Sequence, residues 1–166
     1  TLDQLRVSPL TPAELLLAKT IPVALVGLVD LVIITAVARL WFDVPFRGTP
    51  GELLPAALLY ILAGLAVGLL ISTWSRTQQE AFMTMFLFLL PAIILSGFFY
   101  PISSMPPVFR WLTLLNPVRH FLEVVRSVFL KGEGFAGLWT QHLALAAIAA
   151  GALGVAVRRF ARSTSD

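Results

Sequence analysis

Apolar residues along this chain come in long blocks, and charged residues stand mostly between them. A helix needs about 20 largely apolar residues to cross the hydrocarbon core of a bilayer, so the gap between charges is a useful ruler. Leu53 to Ser75 carries no charge, Ala81 to Phe109 carries none, and Gly134 to Val157 holds only His142 as a titratable group. Thr20 to Trp41 is interrupted by Asp30 near its middle. A central acid costs about 2.5 to 3.5 kcal/mol on the insertion scale, and about a dozen Leu, Ile and Val residues contribute roughly 0.3 to 0.6 kcal/mol each. Their sum exceeds the penalty. The pattern therefore predicts four crossings, at approximately residues 18–41, 53–73, 81–99 and 136–157.

The block from Ala81 to Phe109 is too long for one crossing, and its punctuation says where the helix stops. Pro91 should kink it, and Ser96-Gly97 followed by Tyr100-Pro101 should end it, leaving about 18 residues or roughly 27 Å. Pro101, Pro106 and Pro107 then cut the chain into short pieces that stay rich in aromatic and aliphatic side chains. Irregular backbone is tolerated at membrane depth only where protein covers it, so a re-entrant or interfacial element is expected over residues 100–132. Gly97, Pro101, Pro106, Asn116 and Pro117 are its turning points. Asn116-Pro117 reads as an N-cap followed by proline at the first helical position. Val118, Phe121, Leu122, Val125, Val128 and Phe129 then share one helical face, away from Arg119, Glu123, Arg126 and Lys131. That amphipathic helix either lies in the interface plane or packs on its own loop outside the membrane, and Gly132 and Gly134 end it. Arg119 and Glu123 have the spacing for a weak pair.

At the amino end, Thr11-Pro12-Ala13-Glu14 is a capping box that opens the first crossing helix. Thr1-Leu2-Asp3-Gln4 has the same shape and predicts a short surface helix ending before Pro9.

Composition agrees with a membrane protein. The 166 residues are 58% hydrophobic and 13% charged, with mean hydropathy +0.88, whereas an ordinary soluble domain is about 25% charged. The net charge of +3 is not gathered into a basic stripe with interleaved aromatics, which argues against nucleic acid as a partner. The chain contains no cysteine, so disulfides, thiolate catalysis and cysteine metal sites are excluded. It starts at Thr1 with no signal peptide ahead of the first apolar run, and we expect it to be part of a longer chain. Four crossings put both ends on one side. Lysine and arginine divide evenly between the two sides, and only the dense Arg158-Arg159-Phe160-Ala161-Arg162 cluster favours cytoplasmic ends.

Catalytic signatures are missing. No Gly-x-x-x-x-Gly-Lys-Ser/Thr loop holds a nucleotide triphosphate, no His-Glu-x-x-His holds a metal, and no Gly-x-Ser-x-Gly elbow presents a nucleophile. His120 and Glu123 lie three residues apart but lack a third ligand. His142, beside Trp139 and Gln141, reads as an interfacial residue at a helix start. Asp30 is the sharpest isolated feature: an intramembrane acid marks an ion or substrate path by default, against the alternative of a structural acid bonded to a neighbouring helix. Arg39 lies about 13.5 Å further along the axis, too far to pair with it, and should snorkel to the interface. Gly64-Leu65-Ala66-Val67-Gly68 is a GxxxG, which permits close approach between helices but arises often by chance.

Taken in order, several short motifs resemble the membrane permease of a type-2 ATP-binding-cassette exporter. They are Thr1-Leu2-Asp3-Gln4-Leu5-Arg6-Val7-Ser8-Pro9-Leu10-Thr11-Pro12-Ala13-Glu14-Leu15, Trp41-Phe42-Asp43-Val44-Pro45-Phe46-Arg47-Gly48 and Gly68-Leu69-Leu70-Ile71-Ser72-Thr73. Arg76-Thr77-Gln78-Gln79, Leu95-Ser96-Gly97-Phe98, Pro101-Ile102-Ser103-Ser104-Met105-Pro106, Leu115-Asn116-Pro117 and Phe129-Leu130-Lys131-Gly132 follow. Each is weak alone, and together they run the length of the chain.

The resemblance implies an all-α membrane bundle, the last four spans of a six-span permease in the bacterial inner membrane, with both ends cytoplasmic. Residues 1–10 would form a cytoplasmic coupling helix, with Leu2, Leu5, Arg6, Pro9 and Leu10 docking on a separate ATPase subunit. Residues 11–166 would form the transmembrane domain, with the element at 100–132 external and a cytoplasmic tail at 158–166. ATP would be bound by that partner, and this chain would need no cofactor or metal of its own. A second permease copy or homologue and membrane lipid are the other expected partners. Asp30 departs from the neutral residue usual in the family and remains a candidate pathway residue. The alternatives are a non-transporting membrane scaffold and an ion-coupled carrier using Asp30.

Overall fold

Several helix starts are written in a local hydrogen bond. A computed structural model describes residues 11–163, so the expected helix over residues 1–10 lies outside the described residues. The helices are α1 (Pro12–Leu40), α2 (Pro50–Trp74), α3 (Gln78–Ile94), α4 (Pro107–Thr113), α5 (Pro117–Arg126) and α6 (Phe135–Ser163). A 3-10 turn, Ile102–Ser104, precedes α4, and a π turn, Ser127–Lys131, extends α5. There is no strand among the described residues. The capping box before α1 is formed: the Thr11 N–H donates to Glu14 at 2.7 Å and the Glu14 N–H to Thr11 at 3.3 Å. Thr49 donates its N–H to Glu52 at 3.1 Å before α2, and the Thr77 hydroxyl accepts from the Glu80 N–H at 3.1 Å before α3. Four orphan N–H groups open every helix, and these partners satisfy some of them where the sequence changes direction.

Three helical stretches are long and apolar enough to cross a membrane, Glu14–Leu40, Pro50–Trp74 and Phe135–Arg162. The third expected crossing is shorter than its pattern suggested. Helix α3 covers 17 residues, about 25 Å at 1.5 Å per residue, against roughly 30 Å of hydrocarbon. It starts three residues before the expected 81 because Thr77 caps it. It continues through Pro91 but stops at Ile94, short of the expected 99, ahead of Gly97, whose φ of 89° no ordinary helix residue adopts.

The tightest packing joins α2 to α6, which run parallel. Near their starts the His142 ring lies 3.2 Å from the Glu52 carbonyl. Near their ends the Arg159 guanidinium lies 4.9 Å from the Trp74 ring centroid. The side of the bundle holding the end of α2, the start of α3 and the end of α6 is called the terminal face, and the opposite side the loop face. The core sits at the loop face: Leu53, Ala56, Val124, Val128, Phe129, Leu138 and Leu145 are buried together, from the first halves of α2 and α6 and from α5 with its π turn. Alanines Ala63, Ala66, Ala149 and Ala156 take over toward the terminal face, so the backbones approach closely there. Helix α1 touches this pair along one edge, and most of its aliphatic side chains are exposed.

The loop face is also where two distant motifs meet. The linker before α2 lies against the π turn, with the Arg47 N–H donating to the Phe129 carbonyl at 3.2 Å and the Gly48 N–H to the Val128 carbonyl at 2.8 Å. Phe46 and Phe129 meet edge to face with centroids 4.7 Å apart. Gly132 ends the turn at φ 68°, and a Cβ there would lie 3.0 Å from the Cβ of Arg47.

Helix α5, expected to be amphipathic, is part of the packed bundle. It packs between α2 and α6, with Phe121 stacked on Tyr60 at 4.6 Å and the His120 ring 2.6 Å from Gln141. The face expected from periodicity is consequently rotated. Pro117, His120 and Val124 are its buried positions, while Val118, Phe121, Leu122 and Val125 are only half-buried. Two neighbouring helices cover the side where polar His120 sits, which hydrophobicity alone does not anticipate.

Candidate functional site

Helix α2 presents its Tyr60, Gly64 and Gly68 edge to two openings. On one side a cavity of about 350 Å³ separates α2 from α3 and the start of α5, with Met85, Phe88, Leu89 and Pro117 among its walls. On the other side a groove of about 660 Å³ separates α2 from α1, where Gly27, Asp30 and Ile61 contribute. Tyr60, Gly64 and Gly68 line both. No atom lies within 4 Å of where a Cβ would stand on Gly64 or Gly68. The GxxxG is therefore uncovered in this chain, with open space where a packed helix would be.

Asp30 stands on the α1 wall of the second opening and is exposed. Lys19 and Thr20 share that groove, eleven and ten residues earlier, so Lys19 lies roughly 16 Å away along the axis and does not pair with the acid. The Thr20 hydroxyl is committed to the Leu16 carbonyl at 2.7 Å. Arg39 lies on the opposite side with its guanidinium 5.7 Å from the Phe46 ring centroid. The groove is mostly apolar, with the Asp30 carboxylate and the Lys19 ammonium well separated along it, while the first cavity is almost wholly apolar.

The broken segment after α3 is held by polar side chains that cap carbonyls. Gly97, at positive φ, is buried, and its carbonyl accepts from Arg126 at 3.3 Å. Pro101 leads into the 3-10 turn and Pro106 into α4. Arg110 donates to the carbonyls of Met105 and Ser103, closing that corner. Asn116 is buried and does two things: its side-chain oxygen accepts from the Val118 N–H at 3.1 Å, and its amide donates to the Ala92 carbonyl at 2.6 Å. The end of α3 is thereby tied to the start of α5. Pro117 is buried at the first turn of α5 and reaches the cavity wall. Arg119 does not pair with Glu123. Its guanidinium donates to the Thr113 hydroxyl at 2.7 Å, and Lys131 lies 3.9 Å from Glu133 as an ion pair.

Several contributors escape sequence reasoning. Tyr60 looks like any residue of an apolar run, yet it divides the two openings. His142, expected at the interface, is buried instead, with ring nitrogens 2.8 Å from the Leu138 carbonyl and 3.2 Å from the Glu52 carbonyl. The packing of α6 beside α2 puts it there. The His120 ring nitrogens face Gln141 and, at 2.8 Å, the Leu114 carbonyl. Leu2, Leu5, Arg6, Pro9 and Leu10 lie outside the described residues.

The family profile described as ABC-2 type transporter matches residues 1–130. Among curated proteins, the probable multidrug ABC transporter permease YbhR of Escherichia coli is 36% identical over 150 residues, covering 90% of this chain and 41% of its own length. The probable multidrug ABC transporter permease YbhS of the same organism is 37% identical over 134 residues, covering 80% and 36%. The inner membrane transport permease YhhJ, also from Escherichia coli, is 30% identical over 165 residues, covering 98% and 44%. The chain thus spans about two fifths of the length of these relatives. No solved structure gives a significant match.

Proposed function

Because the chain belongs to the ABC-2 type transporter family, we propose that it is the membrane-spanning permease part of an ATP-binding-cassette exporter. It moves hydrophobic small molecules outward by alternating access. The observation that carries this reading is the pair of openings flanking Tyr60, Gly64 and Gly68 on α2. The word multidrug in the names of two relatives supports an apolar cargo.

In this proposal α3 also crosses, which makes four crossings with α1, α2 and α6, both chain ends are cytoplasmic, and the segment from Tyr100 to Gly132 lies on the external side. ATP is bound and hydrolysed by a separate subunit, and a second permease copy or homologue completes the pathway. Closure of the ATPase pair pushes residues 1–10, where Leu2, Leu5, Arg6, Pro9 and Leu10 dock. The capping box at Thr11 and Glu14 passes that push directly into α1. The α2–α6 pair, held near both ends, is the stationary element. Helix α1 meets it along one edge only and is free to shift, which widens or narrows the groove at Asp30. Asp30 contacts cargo there in the proposed cycle.

The test uses the complete transporter with its ATPase, reconstituted in vesicles. Leu5→Asp is expected to abolish substrate-dependent transport while membrane insertion persists; normal ATPase assembly and export by that variant would sink the proposal. Asp30→Asn separates the exporter from an ion-coupled carrier. Transport that survives the change and still requires ATP fits the exporter, whereas transport driven by a proton gradient without ATP, and lost in Asp30→Asn, fits the carrier.

A further inference from the structure

One arginine lies over an exposed tryptophan where α2 and α6 end at the terminal face. Trp74 is the last residue of α2 and is 58% exposed. The Arg159 guanidinium lies over its ring, 4.9 Å from the centroid. Arg158 and Arg159 are exposed, and among the described residues neither enters an ion pair. Arg76 follows Trp74 by two residues and is exposed as well. Glu80 accepts from the Arg76 backbone N–H at 2.8 Å, and Glu14 from the Thr11 N–H at 2.7 Å, each capping its own helix start.

Stacking on an indole occupies one face of a guanidinium and leaves its N–H edge free. That edge is a planar fork matched to two oxygens of a phosphate, which an ammonium cannot reproduce. Tryptophan prefers the depth of lipid headgroups, so Trp74 holds the fork at the level where phosphodiesters lie. The carbonyls at the end of α6 oppose an anion, but their effect fades within the last turn, and each arginine near an anionic surface contributes at least as much.

We propose that Arg159, held on Trp74, binds the phosphate of an anionic phospholipid headgroup, with the neighbouring Arg158 adding charge at the same surface. Phosphatidylglycerol is the probe that represents this class. The lipid bridges the ends of α2 and α6 on the terminal face, and the site stands independently of cargo and of export.

The complete chain in vesicles of phosphatidylcholine is titrated with spin-labelled phosphatidylglycerol, and the fraction of immobilised label is compared with that of spin-labelled phosphatidylcholine. The wild type is expected to prefer phosphatidylglycerol. Each arginine removed in Arg158→Gln and Arg159→Gln should weaken that preference about fivefold. Arg39→Gln, on the loop face, should leave it unchanged. The double replacement Arg158→Lys with Arg159→Lys, which keeps the charge but loses the fork, should fall between the wild type and the glutamine variants. Equal association of both lipids with the wild type overturns the proposal, as does an undiminished preference in the glutamine variants or a lysine variant that matches the wild type. Displacement of the labelled lipid by equimolar inorganic phosphate also overturns it, because the site would then take the free anion.

Discussion

Gly132 shows how much one conformational requirement can fix. It ends the π turn at φ 68°, in a region that costs an ordinary L-residue roughly 1–2 kcal/mol. A Cβ there would stand 3.0 Å from the Cβ of Arg47 and 3.1 Å from its carbonyl oxygen, so strain and crowding act together. Gly132→Ala is expected to lower stability by about 1–3 kcal/mol, read as an earlier thermal transition of the detergent-solubilised protein. An unchanged transition would mean that the linker before α2 does not rest on this turn. The glycine was visible in the sequence as a helix end. That its neighbour is Arg47, 85 residues earlier, was not. His142 makes the same point in reverse, since its place in an apolar run beside Trp139 predicted a wet interface, and only the approach of α2 buries it.

Helix α5 depends on Asn116 for both its start and its anchorage. Removing the side chain in Asn116→Ala loses a cap worth about 1 kcal/mol and a buried hydrogen bond to Ala92 of similar worth. A loss of about 1–3 kcal/mol is expected, together with faster proteolysis between Tyr100 and Pro117. Asn116→Asp is the more informative change: a carboxylate still accepts from the Val118 N–H but cannot donate to the Ala92 carbonyl. It should therefore keep the start of α5 capped and release the end of α3. If Asn116→Asp matches wild type in both thermal transition and proteolysis, the tie between α3 and α5 carries no weight. The sequence announced the cap through Asn116-Pro117. The second bond, spanning 24 residues, is a property of the bundle.

For the molecule entire, the parallel pairing of α2 and α6 is the organising fact. Parallel neighbours need a connection that returns across the bundle, and α3 with the segment through α5 supplies it. The chain has no cysteine, so introduced thiols report without background. Phe46→Cys with Phe129→Cys, replacing rings 4.7 Å apart, should form a disulfide under mild oxidation. In intact cells, a membrane-impermeant maleimide should label Phe42→Cys and spare Thr77→Cys, because the proposed topology puts these two loops on opposite sides. Labelling of both or of Thr77→Cys alone would overturn the proposed orientation, and failure of the disulfide would overturn the docking of the two motifs.

Periodicity and punctuation by themselves determined that the protein is helical, where most helices begin, and that its apolar surplus belongs in a membrane. Those properties follow from hydrogen bonds within a few residues and from the transfer of side chains out of water, and both are local. Length was less secure where local signals compete, as in α3, whose expected end at residue 99 gives way to a stop at Ile94. Tertiary structure decided which edge of α2 stays uncovered, that Tyr60 stands between two openings, which face of α5 is buried, and that Arg159 comes to rest on Trp74. In a chain whose apolar residues cover every side of its helices, hydrophobicity does not tell a lipid-facing side from a packed one. Shape, small residues and a few directional polar contacts make that choice, and they act only once the helices stand side by side.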